Sequence, residues 1–217
     1  MVRFLIVSLV VVLLAGCTAP VIGDVVTGSG KLVTRSFELD GFSRIDADSV
    51  AQVEVTRGDA FSVEVDVDDN LESRLDVAVK GDTLHIKLQD GAYNNVTLRA
   101  RVTMPKLTGV TLDGASTLTG ELAGEDLALD LDGATRLTLT GTAGRVTIKI
   151  NGASRALLGG LTAQEDVELD ADGASHIEIN ASGAVRGKAN GASRIIVTGS
   201  PTSVDVETEG ASQVITK

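Results

Sequence analysis

LALDLDGATRLTLTGTAGRVTIKINGASRALL, residues 127–158, holds two copies of one short phrase, Gly133-Ala134-Thr135 and Gly152-Ala153-Ser154, each preceded by alternating aliphatic residues. The phrase recurs at Gly114-Ala115-Ser116, Gly173-Ala174-Ser175, Gly191-Ala192-Ser193 and Gly210-Ala211-Ser212, with successive intervals of 19, 19, 21, 18 and 19 residues. A turn phrase at near-constant spacing with apolar alternation between its copies is the mark of stacked rungs in a solenoid.

With each of these glycines set to zero, positions −6, −4 and −2 read Leu127, Leu129, Leu131, then Val146, Ile148, Ile150, then Val167, Leu169, Ala171. Positions +4 and +6 read Leu137 and Leu139, Ala156 and Leu158, Ile177 and Ile179, Ile195 and Val197. Each rung therefore supplies two short strands whose inward residues form columns, with a corner at Gly-Ala-Ser. Glycine suits a corner that needs positive φ, and alanine is expected to fill a tight inside position. About five 19-residue rungs are predicted over residues 108–217, stacked at the strand spacing of about 4.8 Å. No rung buries enough surface to stand alone, so neighbours are obligatory.

Upstream the alternation shortens to hairpin length. Val53-Glu54-Val55 and Phe61 to Val67 flank Arg57-Gly58-Asp59, and Leu75 to Val79 and Leu84 to Leu88 flank Lys80-Gly81-Asp82. Period two around short Gly-Asp turns predicts antiparallel hairpins over residues 35–107. Asp69 to Arg74 is expected to form a short helical turn, and Pro105 marks a boundary because it cannot donate to a ladder. The Arg57-Gly58-Asp59 tripeptide reads as turn chemistry and not as a recognition motif. The whole is an all-β chain, with an antiparallel part leading into a β-solenoid.

At the N-terminus, Arg3 precedes an apolar run from Phe4 to Ala15 that is too short to span a membrane. Residues 1–16 read as a signal peptide. Leu14-Ala15-Gly16-Cys17 resembles a bacterial lipobox, which makes Cys17 the expected lipid attachment site and anchors the chain to a membrane. Thr18 follows where an inner-membrane retention Asp would stand, which points to the outer membrane. Residues 17–34 are expected to form the lipidated cysteine and a tether.

The chain has 43% hydrophobic but only 2% aromatic residues, so the core must be aliphatic. One cysteine in 217 residues excludes an internal disulfide framework. A net charge of −11 and a pI of about 4.6 argue against a nucleic-acid partner, which would need a concentrated basic face.

The order Gly41-Phe42-Ser43-Arg44-Ile45, Val53-Glu54-Val55-Thr56-Arg57-Gly58, Leu84-His85-Ile86, Met104-Pro105-Lys106-Leu107 and then serial Gly-Ala-Ser phrases resembles the head GIN domain family. That family is known as "putative auto-transporter adhesin". The resemblance covers about residues 35–217 and implies a solenoid-like, all-β protein of the bacterial envelope. It implies no catalytic residue set. Nothing in the chain resembles a translocating β-barrel, so the auto-transporter part does not carry over.

Two columns are candidate sites. The residues before the glycines, Asp113, Asp132, Asn151, Asp172 and Asn190, would stack into a turn ladder. Such a ladder could hold divalent cations, but Asx-Gly favours the turn in any case, and each Asn removes charge a calcium column would need. No metal or cofactor is expected. Three residues after the glycines stand Arg136, Arg155, His176 and Arg194, an outward basic stripe suited to an anionic glycan or lipid headgroup, and the chain's expected ligand is a glycan or a protein. The alternative is that the stripe pairs with carboxylates such as Asp132 and Asp172.

The six corner hydroxyls have only His85 and His176 as possible bases, so they read as corner hydrogen bonding and not as nucleophiles. A polysaccharide lyase on a β-helix is the rival reading. It lacks support because the longest rung gains only two residues and no aromatic platform exists. The last rung leaves Val214 and Ile215 beside an edge, which suggests pairing between copies.

Overall fold

The structure is a computed structural model that describes residues 25–217. Cys17 and the signal-peptide reading lie outside the described residues. The N-terminal part comprises β1 (Val26–Thr27), β2 (Leu32–Phe37), β3 (Arg44–Ala47), β4 (Gln52–Arg57) and β5 (Ser62–Asp68). A 3₁₀ turn over Asp69–Arg74 follows, as expected, and then β6 (Leu75–Lys80), β7 (Thr83–Leu88), β8 (Tyr93–Asn94) and β9 (Leu98–Met104). The repeat gives β10 (Gly109–Leu112), β11 (Thr117–Ala123), β12 (Leu127–Leu131), β13 (Arg136–Ala143), β14 (Val146–Ile150) and β15 (Arg155–Ala163). It closes with β16 (Val167–Ala171), β17 (His176–Ala181), β18 (Ala184–Ala189), β19 (Arg194–Gly199), β20 (Ser203–Thr208) and β21 (Gln213–Thr216).

Two sheets face each other across an aliphatic core. One runs β20-β18-β16-β14-β12-β10-β3-β7-β6, and the other runs β2-β5-β9-β4-β11-β13-β15-β17-β19-β21. The chain alternates between them, one strand in each per rung, so that every repeat strand pairs in parallel with its equivalent one rung away. The predicted columns point inward: Leu127, Leu131, Val146, Ile150, Leu137, Leu139, Ile177, Ile179, Ile195 and Val197 are all buried. Each such side chain contributes about 1.5–3 kcal/mol through burial.

The stack begins upstream of the repeat. β3 pairs in parallel with β10, and β4 with β11, so Asp48-Ser49-Val50-Ala51 occupies the corner below Asp113-Gly114-Ala115-Ser116. Ser49 has φ 73, the left-handed conformation of the later glycines. A cavity bounded by Ser49, Leu88, Gln89 and Asp90 leaves its side chain room.

Three expectations are corrected. The strands around Arg57-Gly58-Asp59 do not form a hairpin, because β9 inserts between them, antiparallel to β5 and parallel to β4. The hairpin at Gly81-Asp82 does form, with Lys80 opposite Thr83. Second, residues 25–34 are not a free tether. β1 pairs with β8, and Gly28 N–H donates to Asn94 O at 3.0 Å. The buried Asp68 carboxylate accepts from Gly30 N–H and Thr97 N–H, both at 2.7 Å, clamping that segment to the body. β2 then joins β5. Third, the corner alanines are exposed, whereas Ser116, Thr135, Ser154, Ser175 and Ser193 are buried. The hydroxyl residue stands at +2 and shares the parity of +4 and +6, so it points inward and alanine does not.

The two extra residues of the long rung form a bulge in β15. Gly159 and Gly160 are exposed there, and Leu161 returns to the core. At the far end, Val204, Val206 and Val214 are only half-buried, and the expected contact between copies would use this surface.

From Gly133 onward, each corner glycine is hemmed in by the one before it. Gly152 has φ 71, and a Cβ there would lie 2.4 Å from Gly133 O. Gly81 has φ 65 with no atom within 4 Å of such a Cβ. Gly81→Ala should therefore cost only the left-handed backbone penalty of about 1–2 kcal/mol. Gly152→Ala should cost more, because two rungs must separate. Equilibrium urea unfolding of both variants checks the difference, and equal losses would refute the steric account.

Candidate functional site

The basic stripe is real as a geometric object. Register places Thr117 opposite Arg136, Arg136 opposite Arg155, Arg155 opposite His176, His176 opposite Arg194, and Arg194 opposite Gln213. Parallel, in-register strands put these side chains above one another on the outer surface of one sheet. Arg136, Arg155 and Arg194 are exposed, and His176 is half-buried. Among the described residues, none of the three arginines forms an ion pair with a carboxylate. Pairing with Asp132 and Asp172, the alternative in the sequence, does not occur. His176 Nε2 instead meets Glu178 Oε1 at 3.0 Å on its own strand.

Sequence reasoning missed what lies beside this column. Leu157, Glu178 and Ile196 are also in register, so two half-buried aliphatic side chains, with Glu178 between them, stand on the outer face next to the cations. The signal was present in Leu157-Leu158 and Ile195-Ile196, where two apolar residues in succession must face opposite sides of a strand.

The opposite sheet carries charges of both signs. Asp130, Lys149, Asp170, Lys188 and Glu207 form one register column of alternating sign. Lys188 reaches Glu207 at 3.8 Å, and Arg186 meets Asp166 at 2.9 Å. Asp166 also accepts from Ala184 N–H; that bond, with the Arg186 guanidinium, holds its carboxyl below the usual range.

The turn ladder is likewise in place. Asp132 N–H donates to Leu112 O, Asn151 N–H to Leu131 O, Asp172 N–H to Ile150 O, and Asn190 N–H to Ala171 O. Asp113 stands over Asp48 at the head of the column. Burial pushes its carboxyl above the ordinary range, and the charges of Asp48, Asp46, Asp132 and Asp130 add to the effect. Among the described residues, no three His, Cys, Asp or Glu side chains converge as a metal site.

Inside the corner, Thr135 Oγ1 donates to Ser154 Oγ at 2.9 Å, Ser175 Oγ to Asp172 O at 2.6 Å, and Ser193 Oγ to Asn190 O at 2.8 Å. These hydroxyls close the corner, and His176 and His85 are engaged elsewhere. His85 is held by Asp46 at 3.0 Å on the other sheet. Ser116 Oγ is buried without a hydrogen-bond partner. Among the described residues, no helix is long and apolar enough to cross a membrane.

The chain is thus a two-sheet solenoid that stacks exposed arginines along one face. Residues 41–201 match the family described as "Putative auto-transporter adhesin, head GIN domain", and the chain belongs to that family. Solved structures share the fold. A "putative adhesin" from Bacteroides fragilis superposes with a TM-score of 0.70 at 21% identity, over 88% of this chain and 100% of that one. One from Parabacteroides merdae gives 0.59 at 19% identity, over 89% and 99%. A "putative lipid binding protein" from Parabacteroides distasonis gives 0.52 at 16% identity, over 89% and 100%. At these identities the likeness establishes the fold alone. No curated protein matches the chain.

The raised Asp113 carboxyl has a definite sign. The folded state holds that proton more tightly than the unfolded chain, so ionisation costs stability at neutral pH, and the cost disappears as pH falls. Asp113→Asn should raise the unfolding midpoint at pH 7, and the gain should vanish below the ordinary carboxyl value of 3.8. Thermal melts at pH 7 and pH 3 measure this, and a gain that persists at pH 3 contradicts the electrostatic cause.

Proposed function

We propose that this protein is a non-catalytic, lipid-anchored binding protein of the bacterial envelope, of adhesin type, which grips an acidic glycan along the Arg136–Arg155–His176–Arg194 column. The observation that carries the reading is the unpaired state of the three arginines on a chain of net charge −11. Rungs repeat at about 4.8 Å, well inside the screening length of about 8–10 Å. The fields of successive cations therefore add, and an anionic polymer aligned with the stack meets several at once. Arginine's planar fork suits the carboxylates or sulfates of such a chain. The neighbouring Leu157 and Ile196 offer the apolar contact that sugar ring faces need in a chain with 2% aromatic residues.

The family's adhesin description supports the binding role. The non-catalytic reading rests on the burial of the corner hydroxyls and on the separate engagement of His85 and His176. Anchoring through Cys17 and placement at the outer membrane rest on the lipobox-like Leu14-Ala15-Gly16-Cys17.

Arg136→Ala, Arg155→Ala and Arg194→Ala combined should abolish retention of the purified domain on heparin or polygalacturonate columns. A control with Lys149→Ala and Lys188→Ala on the other face, which also lowers positive charge, should be retained like the parent. Equal loss in both would reduce the effect to net charge, and unchanged retention of the triple variant would remove the stripe as a site. Separately, Cys17→Ala should move the protein from the membrane fraction of its cells to the soluble envelope fraction. Continued membrane association would exclude the anchor.

A further inference from the structure

The largest surface cavity described, about 520 Å³, lies on the other sheet from the stripe, at the corner opposite the glycine ladder. Its size falls in the range of about 300–1,000 Å³ typical of small-ligand sites. Arg44, Lys106 and Arg145 line it with Glu125 and Asp126, and the half-buried Ala128 adds a small apolar surface. Three cations therefore converge on one hollow of an acidic protein.

Arg44 is the telling residue. Its backbone is fixed on both sides, between Thr83 of β7 and Gly109 of β10. Its guanidinium lies flat on Gly109, where a Cβ would come within 2.5 Å of both Cζ and Nη1. That position makes Gly109 buried and leaves Arg44 half-buried. Yet among the described residues this guanidinium makes no ion pair and no side-chain hydrogen bond. A partly desolvated fork of five donors, seated in a groove that only glycine leaves open, is preorganised for an anion.

The rest of the cavity narrows the class. Arg145 is held loosely, its only ion pair among the described residues being an exposed contact to Glu165 at 3.6 Å, so it can turn toward a ligand. Its backbone N–H fixes the Asp126 carboxylate at 2.8 Å, which leaves that group's other oxygen free to accept. Three cations against two carboxylates suit a single negative charge better than a dianion. The carboxylates suit hydroxyl donors, and Ala128 suits a C–H face.

We propose that this cavity binds the carboxylate-bearing sugar residue of an acidic glycan, with the carboxylate on Arg44, flanked by Lys106 and Arg145, and ring hydroxyls donating to Asp126 and Glu125. The site shares no residue with the arginine stripe and stands or falls independently of it.

The probe is free glucuronate, titrated by chemical-shift perturbation into the folded domain. Saturable shifts should appear at residues 106–109, 125–128 and 145–147. Gly109→Ala, which displaces the guanidinium, and Arg44→Met, which keeps the length without the charge, should each weaken binding by about tenfold or more. The Arg136, Arg155 and Arg194 triple variant should bind glucuronate like the parent; a loss there alone would move the event to the stripe and overturn the assignment. Equal binding of glucose would refute the role of the carboxylate, and tighter binding of inorganic phosphate would refute the sugar class. No saturable shifts from glucuronate, or unaltered binding by Arg44→Met in a variant with the parent's melting curve, would also overturn it.

Discussion

A single hydrogen bond, repeated up one corner, governs this architecture. Ala134 N–H donates to Gly114 O, Ala153 to Gly133, Ala174 to Gly152, Ala192 to Gly173 and Ala211 to Gly191, all at 2.7–2.8 Å. Each closure brings a glycine carbonyl to where the next glycine would carry a side chain. Positive φ and the absence of Cβ are thus one requirement seen twice: the turn needs the first, and the stacking needs the second. Once the corners are superposed, strand register follows, and every outward position becomes a column. The stripe of cations is a consequence of that register and needs no further device to align it.

Register also explains which features could be read from the residues. Glycine spacing and parity were enough to place the inward columns and to stack Arg136, Arg155, His176 and Arg194. The same parity, carried two residues past the glycine, would have turned Ser154 inward and left Ala153 outside. The first corner escaped notice because Ser49 stands where glycine is expected, although Ile45, Ala47, Val53 and Val55 keep the alternation around it. What local pattern could not reveal was insertion of a distant strand. Val53–Val55 and Phe61–Val67 alternate as a hairpin would, yet β9 divides them. The same holds for the Arg44 seat, which needs Gly109, 65 residues away, on the adjacent strand.

The two outer faces are built on opposite electrostatic plans. In one column of the first sheet, acidic and basic residues alternate from rung to rung, and Lys188 reaches Glu207. In the column at position +3 of the second, Arg136, Arg155 and Arg194 recur, carried by a backbone ladder that does not depend on them. A scaffold held by main-chain bonds and aliphatic burial can carry such a column with little loss of stability, because the core residues at +4 and +6 face away from it. The outward column and the core thus occupy alternate residues of the same strand.

The clamp at Asp68 has a mechanical consequence. Residues 26–30 join the body through the two-residue β1–β8 pairing and a carboxylate that grips Gly30 and Thr97. Tension entering from the N-terminal side meets this short seam before it meets any rung. Few hydrogen bonds hold this seam beside the many of a rung, so a pull applied from that side would load it first.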